Sequence, residues 1–276
     1  MNLHSGYPFW LAKNGLPFDY PKVEKSTSAD VVIMGGGISG ALVAYHLINA
    51  GVNCMLIDAR TIGLGSTCAS TSLLQYEIDT PLCELIDKAG LKNAVRAYQL
   101  CAEAIDKLGT GYEAVEFIDK KIVDLHCTFA CTSEQANEKQ KFWTDDVLIW
   151  NTADPYLYMR STKDKRILIG GRDEEFYSPV KRDALLPGKI KQLVNDFNKV
   201  FPNIAFKPEF SWAGTFGATK DGLPFIGNYK KLSNSLFALG FGGNGITFSL
   251  IAAEILTDNI TGRKNNDENI FSFDRM

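Results

Sequence analysis

Apolar and polar residues follow one another along this chain in runs whose period changes, and the changes mark its elements. Val31, Val32, Ile33 and Met34 form an unbroken apolar run between Asp30 and Gly35, the pattern of a parallel strand buried on both faces. From Ser39 to Asn49 the spacing predicts a helix, which Gly51 stops in the manner of a C-cap. Cys54, Met55, Leu56 and Ile57 repeat the short strand run, and Asp58 closes it. Ala94, Val95, Tyr98, Cys101, Ala102, Ile105 and Leu108 trace one stripe of an amphipathic helix over 94–108.

The second half of the chain reads differently. Lys121 to Ser133 predicts a strand, and Val147–Trp150, Tyr156–Arg160 and Ile167–Gly170 predict three more short strands of an antiparallel sheet. Lys163, Asp164 and Lys165 form a solvated hairpin tip between the last two. Ile190, Leu193, Val194, Phe197, Val200 and Phe201 share the stripe of a helix over 190–201, ended by Pro202. A strand over 235–239 leads into Gly240 to Gly245 and a final helix, after which the polar tail RKNNDEN is expected to be loosely held.

Between the first two strands, Gly35, Gly37 and Gly40 occupy the three positions of GxGxxG. The first permits a tight turn, the second lets backbone approach a pyrophosphate, and the third lets helix and strand pack closely. Asp58 lies near the spacing at which a carboxylate reaches the ribose hydroxyls of an adenine dinucleotide, and a negative charge there disfavours a 2′-phosphate. The fingerprint alone leaves NAD and FAD open. Three further features favour FAD: the hydroxyl-rich stretch GLGSTCASTS after the second strand, the segment Thr110, Gly111 and Tyr112, and the C-terminal glycine loop feeding a helix N-terminus. Such an N-terminus offers unpaired N–H groups and the positive end of a dipole. Two loops of this kind suit one long, bent cofactor.

Composition narrows the partners. The chain has 276 residues, 45% of them hydrophobic and 22% charged, with a net charge of −3, the balance of a globular protein. No Lys/Arg block invites nucleic acid or an anionic membrane, and the most apolar helix, near Ile246 to Leu256, is too short to span a bilayer. Charges and prolines scattered through the first thirty residues argue against a signal peptide. The six cysteines show neither CxxC pairs nor a His-bearing metal pattern, so no metal site is expected, and reduced thiols in a cytoplasmic protein are.

Taken in order, VVIMGGGISGALVAYHL, LIDARTIGLGST, TGYE, ILIGGRDE, WAG, TKDGLPFIG and FGGNGITFSLIAAEIL resemble the D-amino-acid-oxidase-like FAD-dependent oxidoreductases, as do Tyr7, Phe9 and Trp10 before the first strand. This family includes glycine oxidase, sarcosine oxidase and gamma-glutamylputrescine oxidase. The resemblance implies an α/β fold: a Rossmann-like FAD-binding domain with a mixed-sheet α+β substrate domain. It assigns residues 1–80, 110–122 and 211–276 to the first and 81–109 and 123–210 to the second.

It further implies non-covalent FAD held along Gly35, Gly37, Ile38, Ser39, Gly40, Asp58, Ala59, Arg60, Gly65, Ser66, Thr67, Thr71 and Ser72. Thr110 and Gly111 would join them, with Gly242, Gly243, Asn244, Gly245, Ile246 and Thr247 facing the flavin ring. The implied reaction is hydride removal from a carbon bearing nitrogen in a small-molecule substrate, which makes no catalytic acid or base obligatory.

The chain departs from that pattern in two respects. Where glycine oxidase and its relatives carry an arginine for the substrate carboxylate, Phe216 stands here, and a phenyl ring cannot replace a guanidinium fork. Ser72, Gln75 and Thr247 align with the basic residues of sarcosine oxidase. The remaining substrate-lining candidates are Tyr158, Arg160 and Arg172. The second departure is length: the helix ending at Leu108 runs directly into Gly109, Thr110 and Gly111, where the family carries a stretch on the order of a hundred residues, close to a small domain. A flavin-binding or structural remnant without turnover is therefore the alternative reading, and an NAD-dependent dehydrogenase the weaker one.

Overall fold

A computed structural model describes residues 2–15, 18, 20–108, 123–153 and 155–275. The chain forms two compact units: Met1–Leu16, Cys68–Leu73 and Leu125–Thr215 make the first, and Pro17–Thr67, Leu74–Asp124 and Phe216–Met276 the second.

The first unit is built on a six-stranded sheet. Its spatial order is β1 (His4–Gly6), β8 (Pro208–Ala218), β4 (Asp124–Ser133), β7 (Ile167–Glu175), β6 (Leu157–Ser161) and β5 (Ile149–Trp150). The pairs β1/β8, β4/β7, β7/β6 and β6/β5 are antiparallel. Strand alternation sorts the side chains. Cys127, Phe129, Cys131, Leu157, Met159, Ile167 and Ile169 pack with Ile190, Leu193 and Phe197 of α5 (Pro179–Val200). Ala130, Tyr158, Leu168 and Trp212 belong instead to a cluster with Ala69 and with Phe9 of α1 (Phe9–Asn14).

Helix α5 begins at Pro179, well before the expected Ile190. Ser178 accepts a hydrogen bond from Lys181 N at 3.2 Å and Pro179 fills the first helical position, a strong start signal. The Pro187–Gly188 pair reads locally as a break, yet the helix carries Pro187 in its interior. Its missing N–H costs one helical bond, which the packed stripe outweighs.

In the second unit β2 (Val31–Met34) and β3 (Cys54–Ile57) pair in parallel, with α2 (Ile38–Asn49) between them in sequence. Beside α2 lies α6 (Gly245–Thr261). Leu42, Leu47, Phe248 and Ile251 share the core with Leu85 of α3 (Leu82–Ala89) and Ala97, Leu100 and Cys101 of α4 (Leu91–Leu108). The antiparallel hairpin β9 (Phe225–Tyr229) and β10 (Leu232–Leu239) precedes α6, and α7 (Glu268–Phe271) follows it.

Two expectations are corrected here. Strand β2 is not buried on both faces: Val32 is 48% and Met34 68% exposed, because among the described residues the packing lies on the Val31 and Ile33 side. The tail is not loosely held. Ile270 and Phe271 are buried, Asp267 accepts from Arg96, and Arg275 grips Asp221 at 2.7 and 3.0 Å while lying 3.9 Å over the Phe225 ring. Residues 81–108 group with the glycine turns and not with the large sheet, and residues 68–73 do the reverse.

Candidate functional site

The first glycine turn is held by its own neighbours. Gly35 has φ +126° and donates to Ile57 O at 2.7 Å, a conformation few L-residues adopt. Gly36 donates to Asp58 Oδ2 at 2.6 Å, and Asp58 Oδ1 accepts from Arg60 N at 2.8 Å and Nε at 3.4 Å. Gly36 escaped the sequence reading because it occupies a variable place in the fingerprint. A Cβ there would overlap Ile62 and stand 2.9 Å from Asp58 Cβ. Gly37 caps α2, and Ile38 N donates to Thr67 Oγ1 at 2.8 Å, so the fingerprint and the threonine of the hydroxyl-rich stretch meet. Gly65 and Ser66 lead into the same short 3-10 turn as Thr67, Ser66–Ala69, while Ala59 is exposed.

The second turn is pinned from another direction. Asn244 is buried, and its Nδ2 donates to Glu77 O at 2.7 Å and Gln75 O at 3.3 Å. Those two carbonyls fix the amide orientation. Its Oδ1 is buried and has no hydrogen-bond partner among the described residues. Gly243 N donates to Asp79 Oδ2 at 2.6 Å, and a Cβ on Gly242 or Gly243 would collide with that carboxylate. Asp79 is a functional neighbour that sequence reasoning missed: placed just before Thr80 and Pro81, it reads locally as the start of α3, and its partner lies 164 residues away. Gly245 opens α6, Ile246 is half-buried, and Thr247 Oγ1 donates to Asn244 O at 3.0 Å.

A buried contact joins the helices behind the two turns. Ser39 Oγ, in the first turn of α2, lies 2.7 Å from Ser249 Oγ in the first turns of α6. Further along, His46 of α2 feels the charges of Glu254 and Asp258 of α6. The helices therefore run side by side in one direction, and both positive dipole ends emerge at the same end of the unit.

The substrate-lining candidates divide between the units. Gln75 and Phe216 belong to the second, where Gln75 Nε2 donates to Glu77 O at 3.3 Å and Phe216 is half-buried. Ser72, Tyr158, Arg160 and Arg172 belong to the first. Arg160 Nη1 donates to Ser72 O at 2.7 Å across 88 positions, and its Nε to Ser161 O at 3.3 Å. Burial holds its guanidinium below the usual arginine value. Tyr158 is buried, and burial pushes its hydroxyl up to about 12, with Thr71 partly offsetting the rise. Arg172 is spoken for: it forks onto Asp196 of α5, with Nε 2.9 Å from Oδ2. Thr110 and Gly111 lie outside the described residues. Among the described residues no three His, Cys, Asp or Glu side chains gather as metal ligands, and no helix is long and apolar enough to cross a membrane.

A family model described as DAO, FAD dependent oxidoreductase, matches residues 30–121 and 118–259. A protein of Bacillus subtilis (strain 168) described as a Rieske 2Fe-2S iron-sulfur protein, YhfW, is 34% identical over 98 residues, 36% of this chain and 19% of its own length. Glycine oxidase of the same organism is 26% identical over 133 residues, 48% of this chain and 35% of the relative. The matches thus span well under half of these relatives. L-Proline dehydrogenase from P. horikoshii superposes with a TM-score of 0.65 at 14% identity, covering 90% of this chain and 97% of that one. Glycine oxidase from Geobacillus kaustophilus gives 0.59 at 14% identity, covering 90% and 99%. At such identities these two structures establish the fold.

Proposed function

Because the chain belongs to the DAO family of FAD dependent oxidoreductases, we propose that it binds FAD non-covalently along the two glycine turns of the second unit and oxidises a C–N bond of a small amine or amino acid. The observation that carries this reading is the Ser39–Ser249 contact, which sets the two helix N-termini side by side. Buried Asn244 Oδ1, an acceptor lacking a donor, fits a ligand that presents an N–H, as the flavin imide does.

Bound FAD supplies the hydride acceptor for a carbon bearing nitrogen, leaving an imine that water hydrolyses. The chain's own residues bind and orient. Gly35, Gly37 and Gly40 admit a pyrophosphate close to backbone, and Asp58 holds the turn open through Gly36 N and Arg60 N while offering its remaining lone pairs to ribose hydroxyls. The N-terminus of α6 favours negative charge beside it. Asp79, already on Gly243 N, sets a fixed carboxylate against that field. Six unpaired cysteines accord with a cytoplasmic setting.

The purified chain should be yellow, retain FAD on dialysis, and bleach with an amine or amino-acid substrate under anaerobic conditions. A colourless chain that stays colourless after incubation with FAD overturns the proposal. A second reading, a flavin-binding remnant without turnover, is favoured by the exposed Val32 and Met34 side of β2. Retained FAD that no amine or amino acid bleaches, with oxygen or with an artificial acceptor in turnover assays, would select it.

A further inference from the structure

A cavity of about 340 Å³ opens on the second unit, within the size range of small-ligand pockets. Lys88 borders it from the last turn of α3, Asn93 from the first turn of α4, Lys220 and Asp221 from the loop entering β9, and Ile270 and Arg275 from the C-terminal end. None of these residues belongs to either glycine turn. The tight junction of α3 and α4 brings positions 88 and 93 to the same rim: Gly90, at φ +79°, donates to Ile86 O at 2.8 Å and accepts from Ala94 N at 3.0 Å.

One wall of the cavity is fixed, and its charges cancel. Arg275 gives Nε and Nη2 to the two Asp221 oxygens at 2.7 and 3.0 Å, and Nη1 to Pro224 O and Phe271 O at 2.9 and 3.1 Å. Asp221 Oδ1 also takes Leu223 N at 3.2 Å. The other two cations, Lys88 and Lys220, are exposed, and neither makes an ion pair or a side-chain hydrogen bond with another described residue; nor does the Asn93 amide. Three donors from three elements thus border one cavity, and two of them are charged. An ammonium is a compact charge with three rotatable donors, suited to a tetrahedral anion more than to the planar fork of a carboxylate. Two of them match the charge of about −1.5 to −2 that a phosphate monoester carries near neutral pH. Asn93 adds its place in the first turn of an 18-residue helix, whose leading N–H groups lack intrahelical partners and favour an anion. Ile270 gives the lining an apolar part.

We propose that this cavity binds a phosphate dianion, with Lys88 and Lys220 as the charges that hold it and Asn93 as the neutral donor that orients it. The phosphate is either free or carried by a small organic molecule whose body lies on Ile270. The site is separate from the one proposed for FAD, and it stands whether or not the chain turns over an amine.

The test is calorimetric titration of the FAD-incubated full chain, in a phosphate-free buffer, with inorganic phosphate, phenyl phosphate and phenol. At least one phosphate probe should bind with a Kd of about 1 mM or tighter, and phenol should not. Phenyl phosphate binding at least about 5-fold tighter than inorganic phosphate assigns an organic ligand; equal affinities assign free phosphate. Lys88→Gln and Lys220→Gln should each weaken binding by about 3- to 10-fold, and the two together by about 10-fold or more, the range for loss of exposed charged contacts. Lys25→Gln removes the same charge from a position outside the lining and should leave binding within twofold. Lys88→Arg with Lys220→Arg, which keeps both charges, should stay within about threefold of wild type and guards against a folding failure of the glutamine variants. Neither phosphate probe binding by 10-fold above that concentration, binding that survives the double glutamine variant, or an equal loss in Lys25→Gln overturns the proposal.

Discussion

The glycine turns of the second unit and the large sheet of the first hold themselves in contrasting ways. In the turns, backbone N–H groups of Gly36, Ile38 and Gly243 meet single side-chain oxygens of Asp58, Thr67 and Asp79. In the sheet unit, long cationic side chains reach far to collect backbone carbonyls: Arg182 takes Asn2 O and His4 O, Arg166 takes Ser133 O, and Arg160 takes Ser72 O. A turn built from backbone is written in glycine spacing. A brace built from arginine depends on which strands happen to be neighbours.

The sharpest way to break that contrast is at Arg182. Its side chain is fully buried and also donates to Thr215 Oγ1 at 2.9 Å. Arg182→Met keeps the packing volume but strands two carbonyls and a hydroxyl, and should cost about 3 kcal/mol in urea unfolding. A loss under about 1 kcal/mol would show that water readily replaces the brace.

Next in size is Asp58→Ala on the turn side. Both carboxylate oxygens bond to backbone N–H groups, so the variant should loosen the turn and weaken FAD, in equilibrium fluorescence titration, by about 100-fold, near 2.7 kcal/mol. Retention within threefold would mean that the glycines alone hold the cofactor.

The same contrast explains what was legible beforehand. Val31 to Met34, the three glycines, Gly51 and Asp58 lie within one local βαβ unit, and that unit formed as its pattern dictated. The sheet strands were readable as apolar runs, although β7 runs on to Glu175 because β4 pairs with it as far as His126. The first turns of α5, from Pro179, lay outside the helix expected over 190–201 because local propensity cannot weigh the stripe that α5 buries. Asp79, Arg182 and Arg275 were invisible for a common reason: each partner is distant in sequence, and nothing in a polar residue announces its destination. The exposed side of β2 was hidden similarly, since an all-apolar strand reads as buried whether or not anything covers it.

Arg275 offers a smaller test, because the second unit too contains one arginine brace. Burial alone would raise the Asp221 carboxyl, but hydrogen bonding and the Arg275 charge outweigh it and hold it below 3.8. A depressed folded value contributes stability that is present above the unfolded value and lost as pH falls through the folded one. Asp221→Asn should therefore destabilise by about 1–2 kcal/mol at pH 6, and the gap from wild type should close below pH 3.8. A gap that persists undiminished at pH 2.5 would assign the effect to packing.

The smallest expected effect bears on how the two turns are joined. Ser249 Oγ donates its proton to Gly245 O, so in the Ser39–Ser249 contact the proton must come from Ser39. The two alanine substitutions are then unequal. Ser39→Ala removes a donor and leaves Ser249 still bonded to its own helix, at a cost of about 0.5 kcal/mol. Ser249→Ala strands the buried Ser39 hydroxyl and should cost about 1–2 kcal/mol. The double variant, which strands nothing, should be less destabilised than the sum, with a coupling near 0.5–1 kcal/mol. Equal single effects that add would show that α2 and α6 are held by Leu42, Leu47 and Phe248 alone, with no polar tie between the turns.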